Sequence, residues 1–287
     1  MTAFRRVVVG LDGSESAREA LVLAQRLADH DGLLVLACVD AHRSFRLPHG
    51  HVRESTAALL DAARAEVDPD RAVSCIERAA GSAARGLTEI AEEQRADLIV
   101  LGSRRNSPES RITPGRTALR LLQGGPSAVA IAPCGAGERD RFRHVGVAYD
   151  GSPEAGAALT AAYAIAARDG AAVSIFLCVA STAVGYGRQF APEVDQAAQA
   201  QRVRAQEQLD AAAGEAPEGV NPETVLLRGE PAAQIAHACD GIVDLLFAGS
   251  RGYGPMHRAL AVAEALLVAA THPVVVMPRS GVAANTP

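Results

Sequence analysis

The chain has 287 residues, 48% of them hydrophobic, and a net charge of -5. That leaves room for two ordinary domains with a sizeable core, and the charge argues against nucleic acid as the main partner. All 28 basic residues are arginine, which excludes a lysine-bearing phosphate loop and lysine Schiff-base chemistry.

Aromatic residues make up 3% and tryptophan is absent, so the core must come from Ala, Val, Leu and Ile. The cysteines Cys38, Cys75, Cys134, Cys178 and Cys239 are scattered, never in C-x-x-C form, and fit reduced thiols. No apolar run reaches the length of a bilayer span, and the first residues reach a strand without a signal-peptide pattern. The expectation is a cytoplasmic protein with no membrane partner.

In chain order, residues 7–11 read as a buried parallel strand. Asp12-Gly13-Ser14-Glu15 follows, and Ser14 is the expected N-cap of a helix over 15–28. Ala17, Leu21, Ala24 and Ala28 have helical spacing in it. Gly32 ends that helix, and residues 33–39 form the next strand. An irregular-to-helical insert fills 41–70. Its His42, His49 and His51 read as solvated loop histidines or as a metal site, with no carboxylate or cysteine at regular spacing to complete the set. Asp97-Leu98-Ile99-Val100-Leu101-Gly102-Ser103-Arg104 is a strand that breaks at Gly102. Thr113-Pro114 predicts an N-cap and first helical residue, and 128–132 is a final strand.

The pattern then repeats. Asp150 matches Asp12, Ser152 matches Ser14, and Pro153 suits a first helical position. A helix runs from there to about residue 168 and stops at Gly170, with a strand over 173–179. The insert at 181–220 contains a helix at 193–213. Asp244-Leu245-Leu246-Phe247-Ala248-Gly249-Ser250-Arg251 echoes the earlier strand and break, and 274–277 closes the unit. Two domains follow, 1–137 and 142–280, with a Gly- and charge-rich linker at 135–141. Each is an α/β unit, a doubly wound five-stranded parallel sheet with helices on both faces. Ligands in such folds bind beyond the carboxyl ends of the strands, where Asp12 and Gly102 meet in one half and Asp150 and Gly249 in the other.

These elements are similar to the universal stress protein family in its tandem form, over nearly the whole chain. The likeness rests on the strand-Asp-Gly-Ser opening, the Gly-Ser-Arg turn after the fourth strand and the closing Pro273-Val274-Val275-Val276. It implies strand order 3-2-1-4-5 and pairing of the halves along their last strands as an intramolecular pseudo-dimer. Further association into a homodimer stays open. It also implies binding of ATP or another adenine nucleotide, through a pattern of Gly, two residues, Gly, nine residues, Gly, then Ser or Thr. In the first half Gly102 and Gly115 fit, while Arg105 replaces the middle glycine and Arg116 the hydroxyl residue. In the second, Gly249 and Gly252 fit, but the closing pair falls on Val262-Ala263, or on Leu260-Ala261 counting back from Pro273. With both leading glycines, the second half is the expected binder.

The single residues each carry two readings. Arg105 and Arg116 either clamp an anion or face solvent. Asp12 and Asp150 are turn and capping residues that, by the resemblance, also hold the nucleoside. Cys38 and Cys178 fall where the family's main chain reads adenine, and as side chains are small core residues. No Ser-His-Asp set stands out. The expectation is a non-enzymatic stress-response protein that binds a nucleotide, or alternatively a scaffold or adaptor acting through its pseudo-dimer surface.

Overall fold

A computed structural model describes residues 3–41, 50–104, 107–135, 141–179, 191–250 and 259–278. The first half runs β1 (Arg6–Leu11), α1 (Glu15–Leu27), β2 (Leu33–Asp40), α2 (Gly50–Ala65), β3 (Ala72–Ala79), α3 (Ala83–Gln94), β4 (Leu98–Gly102), α4 (Arg116–Leu122) and β5 (Ala128–Ala132). The second runs β6 (His144–Ala148), α5 (Pro153–Asp169), β7 (Ala172–Val179), α6 (Ala191–Gly214), β8 (Glu223–Arg228), α7 (Pro231–Cys239), β9 (Leu245–Gly249), α8 (Ala259–Ala269) and β10 (Val274–Met277).

The leading helices start as their sequences dictate. Ser14 and Ser152 cap α1 and α5 by accepting from the N–H groups of Ala17 and Ala155. The glycine before each cap turns the chain at positive φ, 77° at Gly13 and 76° at Gly151. Gly170 ends α5 in the left-handed conformation.

Ten strands form one sheet in the order β3-β2-β1-β4-β5-β10-β9-β6-β7-β8. Each half has the expected order 3-2-1-4-5 with parallel pairing throughout. The halves join where β10 runs antiparallel to β5, with Val275 opposite Ala130. The apolar last strands thus cover each other, which removes two exposed sheet edges at once. Above the sheet lies a core containing buried residues of α1 and α5, and below it one containing residues of α3, α4, α7 and α8. Both cores draw on both halves. Phe4 and Phe247 stack across the seam with ring centroids 6.4 Å apart.

Arginines tie the halves at helix ends. Arg168 of α5 donates to the carbonyls of Arg26 (2.6 Å) and Ala28 (3.2 Å) at the carboxyl end of α1, and Asp169 pairs with it. Arg111 donates to the carbonyl of Ala269 at the end of α8 (3.0 Å). Each is a cation placed on the negative end of a helix belonging to the other half.

Candidate functional site

In each half the chain leaves β1 or β6 toward one side and returns through β4 or β9 on the other, so the carboxyl ends of these central strands flank a crevice. In the first half this crevice is a cleft of about 270 Å³ at the ends of β1, β2 and β4. One wall holds Asp12, Ser14 and Ser16. Its apolar side is made by Ala37, Val39, Leu87 and Leu101, and the far wall carries Arg104, Gly115 and Thr117.

Asp12 and Ser14 are ordered by each other. Asp12 Oδ1 accepts the N–H of Ser14 at 3.0 Å and its hydroxyl at 2.5 Å. Ser14 Oγ lies 3.0 Å from Ser16 Oγ. Asp150 holds the N–H of Ser152 in the same way, at 3.0 Å. The turn-and-cap reading of both aspartates therefore holds, and Asp12 also lines the cleft.

Gly102 is a glycine for a reason the sequence concealed. A Cβ there would stand 1.9 Å from the carbonyl oxygen of Ser16, so only glycine lets α1 start this close to β4. Gly249 likewise faces the backbone of Glu154 and Ala155, at 2.8–2.9 Å from an added Cβ. Beyond Gly102 the loop is latched. Ser103, 4% exposed, accepts the N–H of Thr113 through its hydroxyl at 2.7 Å, and Arg104 donates its N–H to the Thr113 carbonyl at 2.9 Å. The latch holds the Thr113 backbone away from α4, which starts only at Arg116, so Thr113-Pro114 does not open the helix as its sequence suggested. Gly115 is the N-cap of α4, with no side-chain bond and with open space where a Cβ would be.

Of the other predicted residues, Arg116 is exposed as the first residue of α4, and the cleft wall is formed by its neighbours Gly115 and Thr117. Arg105 and Gly252 lie outside the described residues, as do His42, His49 and the His51 side chain. Among the described residues no group of three or more His, Cys, Asp or Glu is placed to hold a metal. Cys38 and Cys178 turn out not to be counterparts. Cys38 pairs with Leu11 and packs on the α1 face, whereas Cys178 packs on the opposite face. Gly170 caps α5, but α1 ends at Leu27 with Ala28 as its cap, well before Gly32; α5 is longer, and the net offset of one residue before the second strand moves the cysteine to the place of Val39. Burial first, then Glu77, raises the Cys38 thiol pKa; burial, then Glu230, raises that of Cys178. Neither is an activated thiolate.

Sequence reasoning missed Ser16, Val39, Arg104 and Thr117. Arg104 and Thr117 were in view as direct neighbours of marked positions. Ser16 and Val39 carry no signal until the sheet register is known.

A second cavity, of about 290 Å³, lies at the seam and is lined by residues of both halves, among them Arg26, Ser110, Asp244 and His272. His272 is 5% exposed, and neither ring nitrogen has a partner among the described residues. Burial lowers its pKa to about 4, so the imidazole is neutral at pH 7.

The sequence model of the Universal stress protein family matches residues 3–133 and 141–278. Over 61 residues the chain is 43% identical to Universal stress protein Rv2319c of Mycobacterium tuberculosis, a stretch that covers 21% of this chain and 21% of that relative. Among solved structures it resembles a universal stress protein from Archaeoglobus fulgidus, with a TM-score of 0.69, 18% identity and 97% of both chains covered. It also resembles a putative universal stress protein from Pseudomonas aeruginosa, with a TM-score of 0.65, 17% identity, and 96% and 94% of the chains covered. At these identities the structural likeness speaks to the fold. One family match falls on each half of a duplicated sheet, and the chain belongs to the Universal stress protein family in tandem form.

Proposed function

We propose that the protein binds an adenine nucleotide in the first-half cleft and acts through that binding, without a catalytic step, as a cytoplasmic stress-response protein. The observation that carries this reading is the cleft at the ends of β1, β2 and β4, with an acid on one wall and a cation on the other. Its apolar side, Ala37, Val39 and Leu87, suits a purine face. Asp12 uses one oxygen on the Ser14 turn, which leaves the other for a ribose hydroxyl. Arg104 and the uncapped start of α4 stand where phosphates would lie, and the Thr117 hydroxyl replaces the one lost at Arg116.

Titration calorimetry with ATP and ADP tests the reading. Micromolar to millimolar binding is expected, weakened about tenfold by Arg104→Ala. No heat and no thermal stabilisation at millimolar nucleotide would remove it. The scaffold reading is favoured by one observation: an exposed arginine, Arg116, occupies the place of the family's phosphate-binding hydroxyl. Nucleotide co-purifying with the protein would speak against a scaffold.

A further inference from the structure

Among the positions where the two halves differ at the carboxyl ends of the central strands, one stands directly behind the glycine that ends β4 or β9. Ser16 and Glu154 are equivalent: each is the second residue of its leading helix, and each backs onto the glycine that ends the neighbouring strand. An added Cβ on Gly102 would lie 2.8 Å from Ser16 Cβ, and one on Gly249 would lie 2.9 Å from Glu154 Cβ. In the first half this position lines the cleft with a small hydroxyl. In the second it carries a carboxylate on a residue only 7% exposed. The acid in the first turn of α1, Glu15, is exposed, whereas that in the first turn of α5 is buried.

We propose that Glu154 bars phosphate-bearing ligands from the second half, so that each chain takes one nucleotide. The inference rests on the reading of the first-half cleft as a nucleotide site. A glutamate is bulkier than the serine at the equivalent place, and at the start of α5 it supplies the negative charge that this helix end attracts. A phosphate entering beside it meets a like charge in a partly desolvated site, which weakens binding about a hundredfold or more. The second half keeps Gly249 and the Asp-Gly-Ser turn because packing and capping need them, whether or not a ligand binds there.

The test counts ATP equivalents by calorimetry on the full chain, with thermal melts to confirm folding. Wild type is expected to bind one equivalent. Glu154→Gln keeps the shape and removes the charge, and Glu154→Ser copies the first half; at least one is expected to add a second equivalent. The reciprocal Ser16→Glu is expected to abolish the first. Two equivalents in wild type, or one in wild type and in both Glu154 variants, would overturn this inference and leave the first-half site standing. Absence of binding in wild type together with a single equivalent in a Glu154 variant would support Glu154 as the barrier while removing the first-half site. No binding by any of these proteins would sink both.

Discussion

At the amino ends of the central strands the two halves solve one problem identically; at the carboxyl ends they part. Asp97, just before β4, accepts the N–H groups of Arg5 and Arg6 at 2.8 and 2.9 Å and so fixes the start of β1. Asp244, just before β9, does the same for Arg143 and His144 at 2.9 and 3.1 Å. These bonds satisfy strand-end donors and serve the fold alone. At the other end Leu11, Ser16, Val39 and Arg116 have become Tyr149, Glu154, Cys178 and a position within α8. A frame under folding constraint keeps its chemistry through duplication, while a surface that meets a ligand is free to change. Even the amino ends have one exception. Ser127, beside β5, donates to the carbonyl of Ala96 at 2.7 Å, whereas the equivalent position beside β10 is His272, whose ring has no partner among the described residues.

Four experiments would break or sharpen this contrast. The largest effect is expected from Gly102→Ala, whose Cβ meets a backbone oxygen; it should cost about 3 kcal/mol in urea unfolding, and more than Gly249→Ala. Equal costs would mean that the helix–strand approach is not tighter in the first half.

His272 gives the next. Its folded pKa of about 4 lies below the 6.5 of an unfolded histidine, so the unfolded chain binds the extra proton between these values. Stability is therefore full above pH 6.5 and falls as pH drops toward 4, by up to about 3 kcal/mol. Denaturation midpoints across that window should flatten in His272→Gln, and an unchanged pH slope in the variant would count against the assignment.

Asp97→Ala and Asp244→Ala should each cost about 2 kcal/mol, because each strands two strand-end donors of a charge-assisted pair. Markedly different losses would show that the frame is not equivalent in the two halves. The smallest stability effect belongs to Asp12→Ala and Asp150→Ala, about 1 kcal/mol each from the weakened helix start. ATP affinity separates them: only Asp12→Ala should lower it, and a loss in Asp150→Ala would place a ligand in the second half.

Much of the frame was legible because its causes are local. Ser14 and Ser152 cap helices through bonds three residues long, Gly170 ends one through its own φ, and the strands are short runs of branched apolar residues. The site was less legible because its causes are distant. Gly102 resembles a phosphate-loop glycine, yet the atom that demands it belongs to Ser16, far away in the chain. Thr113 resembles a cap, but its backbone is held by Ser103 and Arg104 and the helix starts only after Gly115. Cys38 and Cys178 look paired until a one-residue offset in strand register turns them to opposite faces.

The antiparallel seam between β5 and β10 has a consequence for how such a protein changes over time. Two separate subunits exchange partners and come apart on dilution, but lobes on one polypeptide stay joined at any concentration. A substitution in one lobe therefore always faces the same unaltered neighbour, and no population of mixed assemblies dilutes its effect. One lobe can give up its ligand while the other keeps it, with every molecule in the cell alike.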